Sequence, residues 1–390
     1  MPATTRRVSR IKISATKQMP MIAAKVGGCV SLGQGVPSFS PPPHVLAAVC
    51  QALTEDPAVH RYSLQPGDSR LRAAIAGQLR RERGLTVDPE TEVAVFAGGM
   101  EALLCAMLAV VEEGDEVILP SPCYPSHVEQ VLLAGGRPVF VPLDPATFAL
   151  DPADLARAVG PRTKAIIVTS PSNPTGCLLS ESALRAVADL ALAHDLFIVS
   201  DETYDVLVYD DPVPSRLTSL PTLADIRDRL ILVFSCSKRY ALTGWRVGYA
   251  VAPAKLLHDM LKVHDCATIC APAPAQVAAL AALTGPQEPF AAFVSELRAR
   301  RDLTCERLDR LVDFFTYVRP QGAFYVMARY RFSSEPSHDL AVRLIKEAQV
   351  ITIPGGAFGP GGEGALRLSF GGSREELTEA FDRIERWLKG

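Results

Sequence analysis

Lys238 and Arg246 are the first residues whose types and spacing could do chemistry together. They lie in Ser235-Cys236-Ser237-Lys238-Arg239-Tyr240-Ala241-Leu242-Thr243-Gly244-Trp245-Arg246-Val247-Gly248-Tyr249. The apolar run Ile231-Leu232-Val233-Phe234 ahead of them has the length of a buried strand, so Lys238 is expected at the end of a sheet, approached by the Ser235 and Ser237 hydroxyls. An amine so placed can attack an aldehyde. The glycines flanking Arg246 let the backbone fold back tightly, which would carry its guanidinium to a phosphate already met by the serines. One amine nucleophile and one phosphate clamp suggest a phosphorylated aldehyde, pyridoxal 5′-phosphate (PLP), held as a Schiff base. The same cations could simply flank a turn at the surface, so other segments must decide.

Ser170-Pro171-Ser172-Asn173-Pro174-Thr175-Gly176 follows the strand-like Ala165–Thr169, and its prolines and glycine fix a rigid turn that presents the Asn173 amide. Downstream, Leu196-Phe197-Ile198-Val199-Ser200 runs into Asp201-Glu202-Thr203-Tyr204. A carboxylate at the end of an apolar strand is costly to desolvate without a cation, and the protonated ring nitrogen of PLP would be one. Gly98-Gly99-Met100 sits where a strand turns into a helix, exposing backbone N–H groups that favour phosphate, although simple turn geometry explains such a pair equally well. Tyr124, in Ser121-Pro122-Cys123-Tyr124-Pro125, could cover a ring or merely fill the core. Arg367, in Ala365-Leu366-Arg367-Leu368-Ser369-Phe370, could grip a carboxylate with its planar fork or face solvent.

Taken together these motifs resemble the class I/II aminotransferases, the fold-type I PLP enzymes of the aspartate aminotransferase superfamily, from about Ser31 to Phe370. The resemblance implies that Lys238 binds the cofactor aldehyde and shuttles a proton, with Ser235, Ser237 and Arg246 on the phosphate. It implies Asp201 on the ring nitrogen, Asn173 and Tyr204 on the ring's phenolic oxygen, and Tyr124 stacked on the ring. Gly99 and Met100 match the phosphate-binding helix start. The family often carries Ser or Thr near this turn, so Met100 could contribute only its N–H. Arg367 and Asn173, with Gly35 in Gly33-Gln34-Gly35-Val36-Pro37, match the substrate-binding positions. Tyr62, in Arg61-Tyr62-Ser63, matches a tyrosine that reaches the phosphate of the neighbouring subunit, which implies a homodimer with composite active sites. The implied activity is transamination between an L-amino acid and a 2-oxo acid in two half-reactions. A PLP-dependent carbon–sulfur β-lyase is the alternative within enzymes, because the same carbanion can eliminate a β-substituent. A non-catalytic PLP sensor would require a DNA-binding module, and roughly 30 residues ahead of the matching region are too few for one.

The chain has 390 residues, 48% of them hydrophobic, and a formal net charge of −3, which describes a globular protein with no general pull toward nucleic acid or membrane. Nine scattered cysteines lack a Cys-x-x-Cys pair, favouring reduced thiols in a cytoplasmic setting over a disulfide scaffold or a metal site. The first 54 residues contain no Asp or Glu, a pattern shared by transit peptides, yet the matching region begins so early that an arm used in dimerisation is the expectation.

Apolar strands alternate with helical stretches from Val93 to Val251, which predicts an α/β fold with a mostly parallel sheet between helices, seven-stranded in the resembled family, and a smaller α/β domain after it. The expected boundaries are 1–44 for the arm and part of the small domain, 45–283 for the large PLP-binding domain, and 284–390 for the small domain. In the latter, Gly322 to Met327 reads as a strand. The amino donor stays open among aspartate, aromatic residues, kynurenine and alanine, and no basic residue is assignable to a distal carboxylate.

Overall fold

The computed structural model describes residues 5–210, 216 and 223–390. In chain order its strands are β1 (Val30–Ser31), β2 (Val93–Phe96), β3 (Glu116–Ser121), β4 (Arg137–Pro142), β5 (Thr163–Thr169), β6 (Phe197–Asp201), β7 (Leu230–Ser235) and β8 (Gly248–Val251). Then come β9 (Phe315–Thr316), β10 (Tyr325–Tyr330), β11 (Val350–Ile351), β12 (Ile353–Pro354) and β13 (Ala365–Ser369). Seven of them form one sheet in the order β2-β8-β7-β6-β5-β3-β4, parallel throughout except for β8, which runs antiparallel to both neighbours.

Helices cover both faces of this sheet, which is why its strands read as continuous apolar runs. Ile166 and Val168 of β5 pack to one side with Leu79, Leu184 and Ala278, while Ala165 and Ile167 pack to the other with Leu103, Met107 and Met260. These partners come from the helices Ser69–Arg83, Glu181–Ala193 and Ala273–Thr284 on one face, and Gly99–Val110 and Ala254–Thr268 on the other. The period-two alternation of a strand therefore feeds two cores at once.

The second sheet, β12-β13-β10-β9, is antiparallel and packs on the helices Ser337–Glu347 and Arg374–Lys389. The latter helix starts in a capping box, with Ser373 and Glu376 each accepting the other's backbone N–H. The N-terminal region joins this core through the parallel pair β1·β11 and through Met19 and Ala23 of the helix Ala15–Val26. The strand expected from Gly322 to Met327 starts instead at Tyr325. Ala323 adopts φ 52°, and the N–H groups of Gln321 and Gly322 donate to Gly176 O, so the chain turns before it can enter the sheet. Among the described residues no helix is long and apolar enough to cross a membrane.

Candidate active site

Strands β5, β6 and β7 are parallel neighbours, so the segments that follow them emerge at one edge, with Thr169 beside Asp201 and Asp201 beside Val233 in the registers. Asn173, Asp201 and Lys238 are thereby brought to one cavity of about 700 Å³. Open α/β sheets gather ligands at this edge. The other sequence-assigned positions on its wall are Gly35, Gly99, Met100, Tyr124, Tyr204, Ser235, Ser237, Arg246 and Arg367. Tyr62 is not on that wall; it is 77% exposed to solvent.

Lys238 lies in the short helix Cys236–Arg239, capped by Ser235, whose hydroxyl accepts the Ser237 N–H at 3.2 Å. Its amine donates to Gly35 O at 2.5 Å. Burial, reinforced by the cations Arg246 and Arg367, pushes its pKa down to about 8. Gly35 is a glycine of necessity: a Cβ there would lie 2.5 Å from the Tyr325 hydroxyl.

Arg246 adopts φ 56° and donates to Thr243 O at 2.9 Å, turning its guanidinium toward the β2-to-helix turn. There Gly98 has φ +91°, and a Cβ on it would come within 2.6 Å of the guanidinium. The turn is clamped by Glu101, which accepts the Ala97 N–H at 2.5 Å and binds His264 Nδ1 at 2.7 Å and Thr268 Oγ1 at 2.8 Å. Gly99 and Met100 open the helix Gly99–Val110, where the first N–H groups lack an intrahelical acceptor. Met100 is 37% exposed and its carbonyl is held by Gln130 at 2.9 Å.

Asp201 is buried, with Oδ1 accepting the Thr203 N–H and Oδ2 facing His127 Nε2, both at 3.0 Å. Sequence reasoning missed His127. Its signal was its spacing: three residues after Tyr124 along the helix Pro125–Leu133, it shares that residue's face, and the rings meet edge-on at 5.4 Å. Tyr325 was also missed. Its hydroxyl pairs with that of Tyr204 at 2.9 Å, and burial, with Tyr325 beside it, raises the Tyr204 pKa well above the ordinary tyrosine range.

Arg367 is 1% exposed, so the alternative of a solvent-facing strand arginine fails. One terminal nitrogen donates to Gly33 O at 2.5 Å, the other to Asn173 Oδ1 at 3.2 Å, and Cζ lies 4.5 Å from the Tyr325 ring centre. Its Nε is buried without a partner, and burial lowers its pKa. Across the described residues, Lys238, Arg246 and Arg367 have no carboxylate partner. Lys17 and Thr16, from the N-terminal helix Ala15–Val26, also face the cavity. In the sequence Lys17 was only one of several arm cations.

The pattern of the family described as "Aminotransferase class I and II" matches residues 28–384. The chain is 34% identical to the aromatic-amino-acid aminotransferase 2 of Thermococcus litoralis, over 99% of this chain and 98% of that protein. It is 39% identical to the aspartate/prephenate aminotransferase of Thermus thermophilus, over 100% and 99%. The solved N-succinyldiaminopimelate aminotransferase of Mycobacterium tuberculosis superimposes with a TM-score of 0.92 at 35% identity, covering 98% of this chain and 100% of that one. Such relatives favour transamination over the lyase alternative. A cavity that gathers an amine, a buried carboxylate and carboxylate-free cations at the edge of a doubly covered sheet thus belongs to a member of the aminotransferase class I and II family, an enzyme of amino acid transamination.

Proposed function

We propose that this transamination runs on PLP attached at Lys238, between an L-amino acid and a 2-oxo acid. The observation that carries the reading is the set of three cations, Lys238, Arg246 and Arg367, which share one cavity and, among the described residues, form no ion pair with a carboxylate. Arg367 is buried, Lys238 half-buried and Arg246 open to solvent, and positive charges converging on one cavity in this way call for anionic ligands, here a phosphate and a substrate carboxylate. The residues fit the group: Arg246 faces a turn left open by the missing Gly98 side chain, and Asp201 is a buried, oriented carboxylate. When bound, the cofactor supplies an aldehyde that takes up the amino group and a ring that accepts electrons.

The protein's own residues do the rest. Arg246, the Ser235 and Ser237 hydroxyls and the N–H groups of Gly99 and Met100 hold the phosphate. Asp201, fixed by His127 and Thr203, would hold the ring nitrogen and favour its protonated form. Tyr204 and the Asn173 amide would hold the phenolic oxygen, and Tyr124 would cover the ring. Arg367, with Asn173 and the Gly35 segment, orients the substrate by its α-carboxylate. Lys238 moves the α-proton; its lowered pKa suits a base working near neutrality. Borohydride reduction followed by peptide mapping tests the central assignment: the label is expected on Lys238, and a label on any other lysine overturns it.

Lys17 supports a donor or acceptor with a second acidic group. It is the cavity cation left over once amine, phosphate and α-carboxylate are served. Lys17→Met is expected to raise KM for dicarboxylic substrates about tenfold while leaving aromatic and aliphatic ones unchanged. Equal losses for all donors would remove that role.

The exposed Tyr62 supports a homodimer in which each chain lends this side chain to the other's phosphate, and sedimentation of active enzyme as a monomer would exclude it. We further assign residues 45–283 to the large domain, and 284–390 with part of 1–44 to the small one. The scattered cysteines favour the cytoplasm.

A further inference from the structure

Behind the cavity runs a chain of buried charges that the reaction itself does not use. Arg83, at the end of the helix Ser69–Arg83, donates to Glu202 Oε2 at 3.0 Å and to Asp205 Oδ2 at 2.8 Å. The same Asp205 oxygen accepts from Arg239 at 3.3 Å, and Arg239 reaches back to Glu82 at 2.5 Å. The side chains of Arg83, Glu202 and Asp205 are 3%, 5% and 6% exposed. Each member that matters is the chain neighbour of a cavity residue: Glu202 follows Asp201, Asp205 follows Tyr204, and Arg239 follows Lys238.

Burying four charges is a poor way to gain stability, since well-packed apolar residues of similar volume do as well or better. What such an arrangement supplies is geometry. Arg83 grips two acidic residues on one segment in a fork, and Asp205 ties that segment to the helix carrying Lys238. The Asp205–Arg239 contact registers the turn after β6 against the turn after β7, beyond the backbone pairing of Asp201 beside Val233 and the Glu202 N–H bond to Val233 O.

We propose that Arg239, through Asp205 and Arg83, is a positioning residue that sets Lys238 against Asp201 and Tyr204. The proposal rests on the roles given to those three above, and the borohydride label separates the two: a label away from Lys238 fails the roles, whereas the experiment below starts from enzyme labelled at Lys238.

Holoenzyme of Arg239→Met, Asp205→Asn and the charge-keeping Arg239→Lys would be compared with wild type for kcat, KM, thermal midpoint and the pH midpoint of the bound cofactor's visible absorbance. Arg239→Met and Asp205→Asn are expected to keep KM within about twofold, to lose on the order of 10–100-fold in kcat, as sub-ångström misplacement does, and to shift the absorbance midpoint. Arg239→Lys should recover most of both. A lowered thermal midpoint with wild-type kcat and absorbance midpoint would overturn the proposal and leave the network a purely structural one. Should Arg239→Met not fold, Glu82→Gln, which removes only the outer partner of Arg239 at a half-exposed position, decides by the same two readouts.

Discussion

The amine of Lys238 is held by Gly35 and depressed to about 8 by burial and two neighbouring cations. Only the neutral amine attacks an aldehyde, so at pH 7 most of the cofactor-free enzyme holds the unreactive form. Cofactor attachment to cofactor-free protein should therefore quicken about tenfold per pH unit below the lysine's pKa and level off above about 8. Stopped-flow absorbance against pH reads this directly. Arg367→Met removes one of the two cations, so its profile should move to higher pH; an unmoved or lower profile would disprove the electrostatic coupling. At this scale the sequence was legible where a residue's type and its strand-end position coincide, as for Lys238 and Asp201, while Arg367, in the middle of β13, stood out by its motif alone. His127 and Tyr325 escaped because their partners, Asp201 and Tyr204, lie 74 and 121 residues away, and the one local sign, the spacing of His127 from Tyr124, does not point to Asp201.

The turn between β2 and the helix Gly99–Val110 needs glycine for two separable reasons. Gly98 combines a left-handed φ with an approach of 2.6 Å to the Arg246 guanidinium, whereas Gly114, at the same φ of +91°, has nothing within 4 Å. Both Gly98→Ala and Gly114→Ala should lose on the order of 1–3 kcal/mol of stability to backbone strain. Only Gly98→Ala should also weaken PLP, by about tenfold or more, because it displaces the phosphate clamp. Equilibrium dialysis of both variants checks this, and equal PLP affinity in the two would dismiss the clamp. Elements were legible where periodicity alone decides. The strands of the large sheet, apolar on both faces, declared themselves. The start of β10 did not, because it depends on Ala323 taking a left-handed turn under contacts from Gly176, a tertiary constraint invisible in a run that reads Gly-Ala-Phe-Tyr-Val-Met.

At the scale of the whole molecule, alternating strands and helices announced the doubly covered sheet, whereas the way the N-terminal region closes the second core did not follow from any local pattern. The pairing of Val30 with Val350 joins residues 320 apart in the chain, and it carries the helix with Thr16 and Lys17 to the mouth of the cavity. Arg367, on the neighbouring sheet, ties the chemistry to the energetics of the fold. A guanidinium with a buried, partnerless Nε and, among the described residues, no counter-ion is tolerable to the fold but not comfortable for it. Any small carboxylate that enters supplies the missing charge, and a ligand binding only the folded state raises stability by about 2.7 kcal/mol at a hundredfold excess over its Kd. The melting temperature of this enzyme should accordingly rise with succinate or acetate in the buffer, while Arg367→Met, stripped of its charge, should melt at least as high as wild type in carboxylate-free buffer and ignore both salts. Heat resistance here becomes an assay for the substrate's headgroup, readable before any amino group has moved.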